Sequence, residues 1–323
     1  IVFGDWSSDV CSSDLTETLN KIADSIRSHG YKCIRIPFDD NFVEHLKKER
    51  PNLVFNIAEG FRGEDRECQA AAILEYMGIP YTGSGPLGRA IALNKPTAKK
   101  MMEFFGVKTA PFVVFEKPPS NSDEWPFGFP AIVKPSHEGS SIGVDNNAYC
   151  ENFDQLQKRI DYITKKFSQP ALAEKFILGR EFNNAIIGNE KVIQFPVVEI
   201  VYDYLPKGIH HFSSFEVKTS LDDPNSTVCP APITPEEEKR LKAASLGAYR
   251  ALGIKDYARV DMRMDDSGQV YILEVNAIPG IAPGIEENNS MPKAVRTFGW
   301  TYEQMIGLII DSALARYQMQ VEQ

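Results

Sequence analysis

ARVDMRMDDSGQVYILEVN, residues 258–276, sets two runs of alternating polar and apolar side chains on either side of an Asp/Ser/Gly turn. A period of two marks paired antiparallel strands with one face buried. A turn of two or four residues sets Arg259 opposite Glu274 and puts Arg259, Asp261, Glu274 and Asn276 on one face. A turn of three residues would break that shared face. Two carboxylates and an amide oxygen so placed form a hard-oxygen set that Mg²⁺, or Mn²⁺, accepts when phosphates complete its shell. Arg259 beside them suits an anionic intermediate. Taken alone, such strand charges fit a solvated sheet face equally well.

Outward from the hairpin, three further segments carry candidate chemistry. In IVKPSHEGSSIG (132–143), Lys134 ends an apolar strand and precedes a Gly/Ser loop whose N–H groups and hydroxyls can fold over phosphates. The segment is not the GxxxxGK[ST] loop, and a Gly/Ser hairpin is by itself more often a plain turn. In LAEKFILGREF (172–182), Glu174 and Glu181 flank a strand-to-loop stretch whose backbone can offer one donor and one acceptor to an adenine edge. Lys95 opens a helix in LNKPTAKK, and Lys218 lies in SFEVKTS; either fits a phosphate contact or a surface lysine. No pair of histidines has metal-ligand spacing, and none is assigned to catalysis.

The rest of the chain supplies the frame. A helix is expected from Thr16, with Leu19, Ile22, Ala23 and Ile26 on one face and Gly30 as its stop. The runs YKCIRIPF (31–38) and PNLVFNI (51–57), with the helical FVEHLKKER between them, read as a parallel-sheet α/β unit. The polar FRGEDRE, a helix from Cys68 to Gly78, the short strand IPYTG and the Gly/Pro-rich SGPLG close that unit near Leu93. Strands are expected at 110–116, 129–135, 141–146, 171–176, 181–188, 192–200 and in the hairpin. Helices are expected at 94–106, 152–167, 235–253 and 302–318. The fold class is thus α/β and α+β, an N-terminal parallel-sheet domain followed by a two-part domain. Residues 5–15, DWSSDVCSSDL, resemble the translated read-through of a sequencing adapter and are set aside.

Composition narrows the function. A length of 323 residues supports two or three packed units. A formal charge of −9 argues against a general nucleic-acid surface, and no run of about 18 apolar residues exists to span a membrane. The 5 cysteines lack CxxC spacing, which points to a reducing cytoplasm rather than a disulfide framework or zinc site.

PYTGSG, NKPTAKK, FPAIVKPSHEGSSIG, LAEKFILGREF, CPA (229–231), ARVDMRM and YILEVNAIPG occur in the order seen in D-alanine-D-alanine ligases, and from about Leu53 onward the chain resembles that ATP-grasp family. The resemblance implies an N-terminal domain (1–94), a central ATP-grasp subdomain (95–180) and a C-terminal one (181–323), with ATP gripped between the last two. It implies that ATP converts the carboxylate of one amino acid to an acyl phosphate, which the amine of a second attacks, in the service of peptidoglycan precursor synthesis. Carried over, Lys95, Lys134 and Lys218 hold phosphates, Glu174 and Glu181 the nucleoside, Lys175, Phe176 and Ile177 the adenine, and Asp261, Glu274 and Asn276 the Mg²⁺. Arg259 and the Gly280 N–H match the oxyanion stabilisers, Ser140 the loop serine near the first substrate, and Ser290 the serine for the second carboxylate, although IAPGIEENNS is longer than usual. The family often forms homodimers.

Three departures fall on the substrate side. Glu59 in NIAEG replaces the family's histidine, which calls for an amino group as its partner; Thr219 replaces the tyrosine after Lys218; and the glutamate of the Ser-Tyr-Glu cluster would fall near Cys11. The competing readings are a ligase for a different amino-acid or hydroxy-acid pair and a nucleotide-binding pseudoenzyme. A dinucleotide-binding dehydrogenase is ranked far below, because no GxGxxG follows an early strand.

Overall fold

The computed structural model describes residues 12–60, 62–221, 223, 225–284 and 288–319. Residues 5–11 of the adapter-like stretch, and with them Cys11, lie outside these; from Ser12 the chain is helical. Helix α1 (Ser12–Ser28) buries Ile22, Ala23 and Ile26, as the 3.6-residue spacing requires. It is followed by α2 (Phe42–Glu49), α3 (Gln69–Tyr76) and α4 (Pro86–Leu93). Helix α4 falls where only a Gly/Pro-rich closing loop was expected. Pro86 occupies its first turn, where a missing N–H costs nothing and a fixed φ helps.

Parallel pairing in this first part rests on one bridge, Val54 to Tyr81, with hydrogen bonds Val54 N to Pro80 O and Thr82 N to Val54 O, each 2.8 Å. The expected strand at 31–38 is not assigned. Prolines explain how short the ladder is: Pro37, Pro51 and Pro80 offer no N–H.

Helix α5 (Lys95–Phe104) leads to an antiparallel sheet of β1 (Phe112–Phe115), β2 (Ala131–Pro135), β3 (Tyr149–Cys150) and, after α6 (Phe153–Phe167), β4 (Ala171–Lys175), in the order β1-β4-β2-β3. Leu156, Ile160 and Ile163 of α6 pack on Val133, Ala171 and Ala173. The strand expected at 141–146 is absent. Ser140, Ser141 and Gly143 have φ of 49°, 58° and 71°, which extended chain cannot adopt. Arg159 fixes this loop by donating to Gly143 O at 2.6 Å and Asp145 at 3.0 Å.

The second antiparallel sheet contains β5 (Arg180–Gly188), β6 (Val192–Gln194), β7 (Val198–Ile200), then after α7 (Phe215–Lys218) β8 (Thr227–Val228), and after α8 (Pro235–Ala251) the hairpin β9 (Tyr257–Met264) and β10 (Val270–Asn276). Its order is β10-β9-β5-β7-β8, with β6 also on β5. The single run expected at 192–200 is split around Pro196, which cannot donate to a ladder. Helix α9 (Ser290–Thr297), not anticipated from the sequence, and α10 (Tyr302–Arg316) follow.

α8 covers one face of this sheet through Leu241, Ala248 and Tyr249. The end of the other face carrying Ala185, Ile187 and Tyr257 is closed by α9, α10 and α1, in a core that also takes in Leu53, Phe55 and Ile57. The rest of that second face is polar, and there the candidate residues gather.

Candidate active site

The hairpin reaches its shared face by a different register from the one the sequence suggested. Met264 pairs with Val270, so the loop is Asp265–Gln269, held by Asp265 Oδ1 accepting from the Ser267 and Gln269 N–H groups at 3.0 Å each. That odd loop alone would set Leu273 against Asp261. A β-bulge between Ile272 and Glu274 corrects it, so that Glu274 faces Asp261 and Asn276 faces Arg259. The expected Arg259–Glu274 pairing is therefore replaced, while all four side chains still share one face.

Across β5 and β9 the register continues this row: Glu181 opposite Arg263, Asn183 opposite Asp261, Ala185 opposite Arg259, Ile187 opposite Tyr257. Polarity declines along the row from ion pair to apolar core. Arg259 grips Asp261 with two hydrogen bonds of 2.7 Å. Asn276 Oδ1 accepts from the Ile278 N–H at 2.9 Å, which fixes the turn after β10. Burial would raise the Glu274 pKa, but Lys95, Lys218, Lys134 and Arg259 outweigh it and hold the group at about 2. For Asp261 burial wins, helped by Glu274 and opposed by Arg259, and its pKa is raised. Next to Asp261, Asn183 is buried and its Oδ1 has no hydrogen-bond partner among the described residues. Together these present oxygen donors in excess of the hydrogen bonds available to them, which fits a hard cation. No three His, Cys, Asp or Glu side chains cluster as metal ligands among the described residues, so the hairpin supplies only part of a coordination shell.

Facing Glu274 is a group of lysines. Lys95 Nζ lies 3.6 Å from Glu274 and donates to Glu138 O. Lys134 Nζ lies 2.5 Å from Glu174. Burial works against the charge of Lys134, but Glu174 and Glu274 raise its pKa above the usual lysine value. Lys99 contacts the second oxygen of Glu174. Lys218, at the end of α7, is exposed and within electrostatic reach of Arg259, Glu274 and Asp261.

The segment expected at the adenine continues from β4. Lys175 N donates to Pro111 O and Phe176 N to Pro130 O, while Lys175 Nζ donates to Phe129 O. Arg263 ties the segment to the sheet by donating to Ile177 O at 2.8 Å and to Glu181, and its guanidinium lies over the Phe176 ring at 4.3 Å. Glu181 also accepts from Ser213, which is bonded to Tyr202 OH. A Ser-Tyr-Glu cluster thus exists, formed by residues other than those of the family pattern. Thr219 spends its hydroxyl on Phe215 O within α7.

On the substrate side, a Cβ on Gly60 would meet Arg66 O at 2.3 Å, so Gly60 lies tight against Arg66, and Glu59 is within electrostatic reach of Glu67. Burial, and next Glu67, raise the Glu59 pKa to about 7, against Arg66 and Arg89. Arg66 donates to His137 O and Glu138, clasping this turn to the Gly/Ser loop that bears the exposed Ser140. Arg89 lies fully buried below, donating to Asn56, Ala58 and Ser84 carbonyls. Gly280 abuts Asn289, where a Cβ would meet Oδ1 at 2.4 Å; Ser290, buried, follows directly as the first residue of α9.

The structure therefore gathers Lys95, Lys134, Lys218 and Arg259 about Glu274, with Asp261 and Asn276 on the same strand face, joins Lys175–Ile177 and Glu181 to that sheet through Arg263, and ties the Ser140 loop to the turn that follows Glu59 through Arg66. Glu174 is placed beneath the lysines, both oxygens directed to Lys99 and Lys134. Sequence reading missed Lys99, Arg263, Asn183 and Glu67. Arg263 continues the strand alternation of Arg259 and Asp261, and Lys99 is one helical turn from Lys95, so both carried a signal; Asn183 and Glu67 carried none.

Two antiparallel sheets linked through the Thr109–Ile272 bridge, with Lys95 ahead of the first sheet set against the Glu274 carboxylate of the second, define the class: an ATP-grasp carboxylate-amine ligase fold. The family model "D-ala D-ala ligase C-terminus" matches residues 101–311, and the chain belongs to that ligase family. It is 32% identical over 338 residues to "Uncharacterized protein y4sG" of Sinorhizobium fredii, covering 95% of this chain and 96% of that one. It is 32% identical over 319 residues to a D-alanine–D-alanine ligase of Psychrobacter sp., covering 97% and 88%. The crystal structure of D-alanine–D-alanine ligase from Bacillus anthracis complexed with ATP superposes with a TM-score of 0.77 at 26% identity, covering 98% of this chain and 97% of that one.

Proposed function

We propose that the protein is an ATP-dependent D-alanine-D-alanine ligase supplying peptidoglycan precursors. The observation that carries this reading is the convergence of Lys95, Lys134, Lys218 and Arg259 on Glu274, opposite Asp261. In this reading Lys95, Lys134 and Lys218 bind the phosphates, and Lys175–Ile177 with Glu181 border the nucleoside. Mg²⁺, held by Asp261, Glu274 and Asn276, would neutralise phosphate charge. The first carboxylate attacks the γ-phosphorus and ADP leaves; the second amine attacks the acyl carbon and phosphate departs. Arg259 and the Gly280 N–H stabilise the oxyanion between these events, with Ser290 receiving the second carboxylate. The reading keeps domain limits near residues 94 and 180, on either side of the sheet formed by β1 to β4.

A second reading, the same chemistry on a different amino-acid pair, is favoured by Glu59 and Glu67, two carboxylates without an ion-pair partner of their own among the described residues, at the end where Ser140 and an ammonium would meet. The scattered free thiols Cys33, Cys68, Cys150 and Cys229 favour a cytoplasmic location. Phosphate release from ATP across a panel of D- and L-amino acids tests the proposal. Release with D-alanine alone supports the named ligase, release with another pair moves the substrate, and release with none overturns both readings.

A further inference from the structure

We propose that Lys99 is a positioning residue of the nucleotide site, holding Glu174 in place and leaving the Glu174–Lys134 pair with one surplus positive charge directed at the triphosphate. The inference rests on the ATP-dependent reading above.

Lys99 is fully buried on the inner face of α5, one turn beyond Lys95. Its Nζ contacts one oxygen of the buried Glu174 and the Thr109 hydroxyl; the other Glu174 oxygen contacts Lys134 at 2.5 Å. Lysine is among the residues least often buried, and burial lowers its pKa against the pull of Glu174. A purely structural pair would not need it. Lys134 already matches the Glu174 charge, so an apolar side chain at position 99 would leave a neutral buried pair, the cheaper arrangement for folding. The third charge has a use only if an anion arrives. Lys95, Lys99, Lys134, Lys218 and Arg259 outnumber Glu174, Glu274 and Asp261 by two cations, the complement of a magnesium-bound ATP.

Lys99 also sets geometry. Thr109 passes the contact on by donating to Ile272 O at 2.9 Å, and Ile272 N donates to Lys108 O at 2.9 Å. Ile272 is in β10, two residues before Glu274, so a buried chain Lys134–Glu174–Lys99–Thr109–β10 registers the phosphate lysine of one sheet against the carboxylate strand of the other.

The test measures binding of ATP and of adenosine to the full chain and to Lys99→Met, Lys99→Arg and Thr109→Val. For Lys99→Met the ATP affinity should fall about tenfold or more while adenosine affinity stays within about twofold. Lys99→Arg, which keeps the charge, should recover most of the ATP affinity, and Thr109→Val should show a smaller loss of the same selective kind. Equal weakening of ATP and adenosine, or unchanged ATP binding in Lys99→Met and Thr109→Val, overturns the inference. Failure of the unaltered chain to bind ATP instead overturns the functional reading on which it rests.

Discussion

Glu274 is held at about 2 by four cations, so at neutral pH it is a fixed anion in the middle of the lysine cluster. Replacing it by glutamine keeps the shape and removes the charge. Turnover of Glu274→Gln in steady-state phosphate release should drop by about 10² or more with an unchanged circular-dichroism spectrum; turnover within a few-fold of the parent would remove Glu274 from the site. Glu59 behaves oppositely. Its folded pKa of about 7 lies above the ordinary value of 4.5, so between these values the folded state binds more protons than the unfolded one and stability falls as pH rises. Glu59→Gln should therefore melt higher than the parent at pH 8, by roughly 2–4 °C, and show no gain at pH 4. An ammonium-bearing substrate should narrow that difference. At this scale alternation made Arg259, Asp261, Glu274 and Asn276 legible, and the same rule extended by two residues reaches Arg263. Glu67 was illegible because its place depends on the Gly60–Arg66 closure, a contact no periodicity encodes.

The hairpin shows how an element can be right in outcome and different in construction. A five-residue loop and a bulge each shift the register by one in the same direction, and a total shift of two restores the parity, so the face survives although Arg259 lies opposite Asn276 rather than Glu274. Neither device leaves a mark in hydrophobic period. The Gly/Ser loop was recognised as a loop, but its extension into a strand was not realised, because positive φ at residues 140, 141 and 143 ends the extended chain. Gly143 gives this loop a sharp test. A Cβ there would meet Pro135 Cγ at 2.6 Å and the Phe167 ring at 2.8 Å, at a φ of +71°. Gly143→Ala should cost about 1–3 kcal/mol in chemical denaturation and raise the KM for ATP more than it lowers kcat, since Gly143 packs on Pro135, the residue after Lys134, rather than at Arg259. A stability loss below about 0.5 kcal/mol would mean the loop relaxes freely.

Over the whole molecule, the three-part division that the resemblance implied coexists with a core that joins distant segments: α1 and the 53–57 run pack with α9 and α10 on the second sheet. Asp256 fastens this junction, accepting from Gly83 N at 2.8 Å, Asn189 at 2.8 Å and Arg316 at 2.8 Å, while Arg316 also donates to Tyr81 O at 2.7 Å. The Gly83–Asp256 and Tyr81–Arg316 contacts join residues 173 and 235 apart in sequence, beyond the reach of any local pattern. Because Asp256 is fully buried, Asp256→Ala leaves a guanidinium and two amide donors without it and should cost roughly 3–5 kcal/mol in urea unfolding; a cost below about 1 kcal/mol would show that the junction does not hold the parts together. The central claim is that this site activates a carboxylate by phosphorylation. Its most direct test is to supply ATP and D-alanine carrying ¹⁸O in the carboxylate and to weigh the phosphate released. An acyl-phosphate route places one ¹⁸O atom in each phosphate as the dipeptide forms; phosphate that carries no label, its new oxygen drawn from water, would contradict the claim and leave only ATP hydrolysis.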